Sequence, residues 1–307
     1  MAIPNIGNIQ MPYPIMPGAG VCKTPESILL YLLPGAPVGA AVTGPYALFG
    51  KTDNEVSNVG IERALLDISK PTPIAHRPRI ISFAGTSVDD YLYTINRLGR
   101  YPLIGGGEVD LGHPSTGGLY FSYSLNETAE ILGGIRQCRK ETGLRTPVWV
   151  KLSPYVTHQE IEQLRTAWPA LDFTRVPVVS ETFVDDMLTL LASYDDAIQA
   201  VVFSSALPNV VAKKPTTAPF DGRGGLSGDL LKPISMKLIE RAKTAIPNID
   251  IIGCGSIISA NDAIDYFESG ASAVQCIDCK PRLFSTLKAS ALLEQYLGRK
   301  FLTQATT

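Results

Sequence analysis

The chain has 307 residues, 45% of them hydrophobic and 18% charged, with 27 basic residues against 29 acidic ones. That length suits one large α/β domain or two small ones with an ample core, and the near balance of charge, without a long block of either sign, argues against a nucleic-acid footprint or a polybasic membrane patch. No apolar run reaches the ~18 residues that a membrane span needs. The start, Met1-Ala-Ile-Pro-Asn5, lacks the charged and apolar regions of a signal peptide, and the cysteines (Cys22, Cys138, Cys254, Cys276, Cys279) are odd in number. Both features predict a reducing, cytoplasmic setting.

Short apolar runs alternate with helical patterns from end to end, the mark of βα units and a parallel sheet. In chain order the strand candidates are Tyr13–Met16, Val38–Thr43, Arg79–Ala84, Gly107–Leu111, Val148–Leu152, Gln199–Ser204, Asp250–Gly253 and Ser272–Cys276. Eight such strands predict an α/β fold of one kind, a single (β/α)8 TIM barrel covering residues 1–307. Helix starts are marked by Thr24 before Pro25, by Ser87 before Val88 and by Asn261, with Gly270 as a helix stop. Two stretches exceed a minimal barrel. Between strands five and six an elaborated crossover is expected, with helices near His158–Ala167 and Val184–Ser193. After strand two, the polar stretch from Gly44 to Pro78, with one helical pattern at Ile61–Ser69, is long enough for a lid-like loop over the barrel mouth. The tail after Tyr296 reads as a fraying terminus.

In such barrels the reacting groups sit at the C-terminal ends of the strands. Strand four runs into Glu108-Val-Asp-Leu-Gly-His-Pro-Ser115, which brings Asp110 and His113 within reach of one mouth. An imidazole beside a carboxylate works as a general base near neutral pH, and a loop histidine without a role is the plain alternative. Strand five ends in Val148-Trp-Val-Lys-Leu152. A lysine finishing an apolar, inward-facing strand is costly unless something anionic meets it, so Lys151 is predicted to be functional. Strand six ends in Phe203-Ser-Ser-Ala-Leu-Pro-Asn209, whose hydroxyls and amide suit either a ring substrate or simple capping of the strand. In the last third, Asp221-Gly-Arg-Gly-Gly-Leu-Ser-Gly228 and Ile251-Ile-Gly-Cys-Gly-Ser256 end apolar runs in glycine clusters that let backbone N–H groups close on a phosphate. Asp278, just past strand eight, places a negative charge there. Cys276 and Cys279 form a C-x-x-C without a second Cys or His pair at finger spacing, so they read as buried thiols and no metal is expected.

With these motifs the chain resembles the dihydroorotate dehydrogenase family, FMN-dependent barrels that oxidise dihydroorotate in pyrimidine biosynthesis. The resemblance is carried by Gly224-Gly-Leu-Ser-Gly228, Ile251-Ile-Gly-x-Gly255 and Gly270-Ala-Ser-x-Val-Gln275. It extends more thinly through Pro14-Ile-Met-Pro-Gly-Ala-Gly20, Ile81-Ser-Phe-Ala-Gly85, Glu108-Val-Asp-Leu111 and Val150-Lys-Leu-Ser-Pro-Tyr155. It implies FMN as cofactor, with Lys151 at the flavin N1/O2 edge, where a positive charge stabilises the reduced anion. Ala19, Gly20, Thr43 and Ser205 would touch the cofactor, and Gly228, Gly253 and Gly255 its phosphate, while Asp110, Ser115 and Ser205 would face the substrate. The departures are specific. The family's Asn-x-Ser-Cys-Pro-Asn reads Asp110-Leu-Gly-His-Pro-Ser115, which puts His113 in the place of the cysteine base and a carboxyl in the place of an amide. Thr43-Gly44 stands where the family has a lysine, Ser205-Ala206 where it has Asn-Ser or Asn-Thr, and Ile277-Asp278 at its strand-eight phosphate clasp.

The expectation is an FMN-dependent oxidoreductase, similar to the soluble class of that family, that moves a hydride between a substrate CH–CH unit and flavin N5 while His113 handles the proton. Because these departures replace groups that would hold orotate or phosphate, they suggest a small-molecule substrate other than dihydroorotate. Homodimerisation is left open. Two alternatives stand beside this reading: a flavin-free lyase or aldolase that uses Lys151 as a Schiff base, and a non-catalytic relative.

Overall fold

Period-two alternation of strand residues, broken by capped helices, builds the architecture. The computed structural model describes residues 3–22, 27–32, 38–48, 60–71, 77–113, 120–213, 223–276 and 290–304. In chain order the elements are β1 (Asn5–Ile6), β2 (Ile9–Gln10), β3 (Ile15–Pro17), α1 (Leu29–Leu32), β4 (Ala41–Tyr46), α2 (Ile61–Ile68), β5 (Arg79–Phe83), α3 (Val88–Leu98) and β6 (Gly106–Asp110). There follow α4 (Leu125–Thr142), β7 (Val148–Leu152), α5 (His158–Ala167), β8 (Leu171–Asp172), α6 (Glu181–Ala192), β9 (Ala200–Phe203), β10 (Leu207–Ala212) and β11 (Arg223–Leu226). The chain ends with α7 (Lys232–Ala245), β12 (Asp250–Cys254), α8 (Ala260–Ser269), β13 (Ala273–Cys276) and α9 (Ala291–Gln304).

Eight strands form one sheet in the order β3-β13-β12-β9-β7-β6-β5-β4, and every pairing in it is parallel. Its two ends meet: Gly39 N donates to Ile15 O at 2.9 Å, Gly44 N to Cys22 O at 3.1 Å and Gly20 N to Gly44 O at 2.6 Å. The sheet is therefore a nearly closed (β/α)8 barrel, and all eight strand candidates lie in it.

Alternation sorts the side chains into two cores. Outward positions such as Ile81, Phe83, Val109, Val150, Val201 and Val274 pack against the helices. Inward positions such as Met16, Val42, Ile80, Trp149, Val202, Ile252 and Ala273 form a separate interior cluster. The N-terminal hairpin belongs to that interior. Its turn, Gly7 and Asn8, has two positive φ values (53° and 61°), the requirement of a two-residue hairpin turn. Gly7 O accepts from Trp149 Nε1 at 3.1 Å, Gly7 N donates to Asp250 Oδ2 at 2.8 Å, and Ile6 and Ile9 join the inner cluster. The hairpin so stoppers the end of the barrel where the strands begin.

Helix starts follow local chemistry. Ser87 caps α3, Ser124 caps α4, Ser180 caps α6, and Thr157 with Glu160 makes a capping box on α5. The cap of α8 is Ser259 rather than Asn261, because it is the Ser259 hydroxyl that accepts from Asp262 N. Gly270 ends that helix at φ 120°. The predicted cap at Thr24 lies outside the described residues.

The helical pattern after strand two is a ring helix of the barrel: α2 buries Ile61, Ala64, Leu65 and Ile68 in the outer core, while residues 49–59 and 72–76, on which a lid-like loop would depend, lie outside the described residues. Two further differences from expectation have physical causes. The elaborated crossover holds α5 and α6 as expected, but β8 pairs antiparallel with β10, and β10 with β11, in a small second sheet. Strands this short and irregular leave little periodicity to read. The tail does not fray at Tyr296: α9 continues to Gln304, and the Tyr296 ring stacks on Phe267 with centroids 6.1 Å apart.

Candidate functional site

Inward parity on β6, β7 and β13 places polar groups in an otherwise apolar interior. Glu108, Lys151 and Gln275 are at most 2% exposed. Lys151 Nζ donates to Gln275 Oε1 at 3.2 Å and lies 3.6 Å from Glu108 Oε1, while Gln275 Nε2 donates to the other Glu108 oxygen. The glutamine thus bridges a buried ion pair on both sides. Burial by itself would lower the Lys151 pKa, yet Cys254, Glu108 and Asp110 outweigh it and hold the ammonium above the ordinary lysine range. A charge pair this deep costs desolvation, and removing one partner leaves the other uncompensated. Glu108 and Gln275 carried no predicted role; their signal in the sequence was a charged and an amide residue at inward parity in apolar strands.

One step nearer the strand ends, Asp110 pairs in register with Lys151 and is 3% exposed. Its Oδ1 accepts from Gly112 N at 3.1 Å. Burial pushes its carboxyl up, against the lowering effects of Lys151 and His113 and with Glu108 adding to the rise. Tyr91 OH donates to Asp110 O at 2.9 Å, and Leu111 N donates to Lys151 O at 2.9 Å, so the ends of β6 and β7 are tied together. Behind them, Ser122 Oγ donates to Ser153 Oγ at 2.9 Å and Tyr155 OH to Ser122 O at 2.7 Å. A Cβ added to Gly112 would stand 2.9 Å from Ser205 Cβ, which brings the end of β9 against that of β6. Asp110 and Lys151 therefore lie side by side at the strand ends, with Ser205 against Gly112 and His113 exposed on the same loop, next to Gly112. Ser115, Asp278 and Cys279 lie outside the described residues.

The other residues singled out divide by which face they present. Ala19 joins the inner cluster at 8% exposure, and Gly20, beside it, has φ 99°. Thr43 has outward parity, and its hydroxyl donates to Cys22 O at 2.7 Å and shares a 2.7 Å hydrogen bond with Tyr46 OH. Any contact it makes at the mouth is through its backbone. Gly253 also faces outward, where a Cβ would stand 2.4 Å from the Tyr266 ring, so its missing side chain serves helix packing. Gly228 and Gly255 differ: φ is 108° and 113°, and a Cβ on Gly228 would meet nothing within 4 Å. Next to Gly255, Ser256 is also left-handed (φ 51°), and its buried hydroxyl has no hydrogen-bond partner among the described residues.

A barrel whose strand ends gather a buried cation, a buried acid and left-handed glycine turns belongs to the (β/α)8 class, in which the C-terminal face is the place for chemistry. Comparison with known proteins makes this particular. A family model described as dihydroorotate dehydrogenase matches residues 55–281, well over half of the chain. The catalytic subunit of dihydroorotate dehydrogenase B (NAD(+)) of Geobacter metallireducens is 25% identical over 288 residues, covering 88% of this chain and 84% of that one. The protein of the same name from Bacteroides thetaiotaomicron is 26% identical over 291 residues, covering 88% and 85%. Among solved structures, ligand-free dihydroorotate dehydrogenase from Eimeria tenella matches with a TM-score of 0.70 at 16% identity, over 96% of this chain and 88% of that one, a likeness of fold. The chain belongs to the dihydroorotate dehydrogenase family, oxidoreductases that act on CH–CH groups.

Proposed function

We propose that this protein is an FMN-dependent oxidoreductase of the barrel mouth, moving a hydride between a substrate CH–CH unit and the flavin, with His113 as the base for the neighbouring carbon. The observation that carries the reading is the buried Lys151 ammonium, held by Glu108 and Gln275 beneath a glycine-lined opening. The residues present fit FMN. Gly20 and Gly228 offer left-handed turns with nothing within 4 Å of where a side chain would project, Gly255 a third with Tyr266 Oη at 3.7 Å, and Ser256 brings a buried hydroxyl unpartnered among the described residues. Backbone N–H groups at such turns suit a phosphate, and Lys151 suits the electron-rich edge of a reduced flavin ring. When bound, FMN supplies a hydride acceptor at N5. The chain's own residues do the rest: Lys151 holds a fixed positive charge, Asp110 and Ser205 orient the substrate at the strand ends, and His113 accepts the proton at its imidazole.

The Schiff-base alternative needs a neutral amine, and the environment of Lys151 favours the ammonium instead. Soaking the purified protein with FMN and removing the excess separates the two readings. Retained absorption near 450 nm, an expectation from flavin chemistry, together with no borohydride-trapped adduct on Lys151, supports the flavoenzyme. A protein that stays colourless sinks it. In the loaded enzyme, His113→Ala should slow substrate-driven bleaching by about 10²-fold or more without releasing FMN.

A further inference from the structure

An ion pair that serves stability closes to a direct N–H···O contact of about 2.7–2.9 Å, and a buried pair needs that contact to offset its lost hydration. The Lys151–Glu108 pair stays open at 3.6 Å. Gln275 stands between the two charges. Its Oε1 accepts from Lys151 Nζ and its Nε2 donates to Glu108 Oε2, and turning the amide over would set donor against donor and acceptor against acceptor. Glu108 Oε1 is left buried without a hydrogen-bond partner among the described residues, and so is the hydroxyl of Ser82, its register neighbour on β5. Gln275 is the one hydrogen-bond acceptor that Lys151 Nζ meets among the described residues, and an ammonium carries more N–H donors than this contact uses. The other groups beside it do not take the place of Glu108. Glu108 and Asp110 face Lys151 from β6 and Cys254 from β12, while β9 sets Val202 next to it. Asp110 accepts from Gly112 N, and burial pushes its carboxyl up against the pull of Lys151 and His113. Glu108 is the acid at ion-pair distance.

We propose, building on the flavoenzyme reading, that Glu108 and Gln275 are positioning residues for Lys151 with separate tasks. Glu108 keeps the buried ammonium charged, and Gln275 keeps it from closing onto Glu108, so that its remaining N–H donors stay available to a ligand with an electron-rich edge. A lysine buried without a counter-charge loses its proton several units below the ordinary ~10.4. An ammonium in direct contact with a carboxylate stays charged, but its donors are occupied. Charge and aim are therefore removed one at a time by substituting one residue or the other.

The test first observes Lys151 itself, in the full chain without cofactor, by NMR with carbon-13 at lysine Cε and the resonance assigned with Lys151→Met. In the unaltered protein and in Gln275→Met the resonance should keep its ammonium position from about pH 6 to about pH 10, and in Glu108→Gln it should titrate within that range. The FMN-loaded proteins give the second readout, the affinity for reduced over oxidised FMN, taken from the two-electron midpoint potential. In Gln275→Met this ratio should fall about tenfold, or about 30 mV, at every pH. In Glu108→Gln it should lose about tenfold more between about pH 6 and about pH 9 than it does in the unaltered protein. A Lys151 resonance that keeps its ammonium position in Glu108→Gln overturns the proposal, and so does one that titrates in the unaltered protein, a result that needs no variant to fold. An unchanged ratio in Gln275→Met overturns the task given to Gln275. An unaltered protein that takes up no FMN ends the flavoenzyme reading instead, while the titration made without cofactor still decides the part of Glu108.

Discussion

At the residue scale, the burial of Asp110 ties stability to pH. Its folded pKa is raised by burial, so below the unfolded value, about 3.9, both states carry the proton and no difference arises. As the pH climbs from there toward the folded pKa, the unfolded chain releases its proton first, unfolding is favoured and stability falls. Asp110→Asn removes the titration while keeping the acceptor for Gly112 N. The variant should therefore be more stable than the natural protein near pH 8, with the difference shrinking toward pH 4. Urea unfolding at the two pH values checks this, and a difference that is constant or grows toward acid would contradict it.

At the scale of the elements, the decisive property is the face that each strand position presents. Gly253 looks like its neighbour Gly255 in the sequence, but Gly253 lies within β12 and faces Tyr266 of α8, while Gly255 lies past the strand end in a left-handed turn at φ 113°. Gly253→Ala pushes a methyl group into the Tyr266 ring, 2.4 Å away, and should cost about 1–3 kcal/mol of overpacking. Gly228→Ala has open space and only its φ of 108° to resist it, a cost of about 1 kcal/mol. Denaturation midpoints at unchanged m-value would separate the two. Parity also explains what could be read of the site from the sequence. Lys151 announced itself as a charge in an apolar strand, and Asp110 and His113 by their place after β6. Thr43 and Gly253 were matched to a motif by position along the chain, which does not say which side of the sheet a residue faces. The β8-β10-β11 sheet was not legible at all, because β8 has two residues and β10 is interrupted by a register shift.

Over the whole molecule, the barrel depends on closure at both ends. The β1–β2 hairpin fills the lower end, and Trp149 donates to it. Deleting residues 1–10 should expose the inner cluster, with a loss of about 1.5–3 kcal/mol for each of Ile6 and Ile9. The chain has two tryptophans, and Trp168 is already 46% exposed while Trp149 is buried. Red-shifted emission and new access to acrylamide in the deletion variant would thus report Trp149; an unchanged spectrum would show that the hairpin is not a stopper.

The amino-acid sequence determined the number and order of the barrel strands, because each is a local apolar run bounded by caps and glycines, and such signals lie within a few residues of one another. It also marked the strand ends as the place for chemistry. The ion pair beneath the mouth was decided only by the tertiary structure: Gln275 is 124 residues from Lys151 and 167 from Glu108 along the chain, and they meet because β13, β7 and β6 curve round one axis and turn the same parity inward. The closing of the sheet also brings two buried carboxyls, Glu108 and Asp110, beside the Lys151 ammonium.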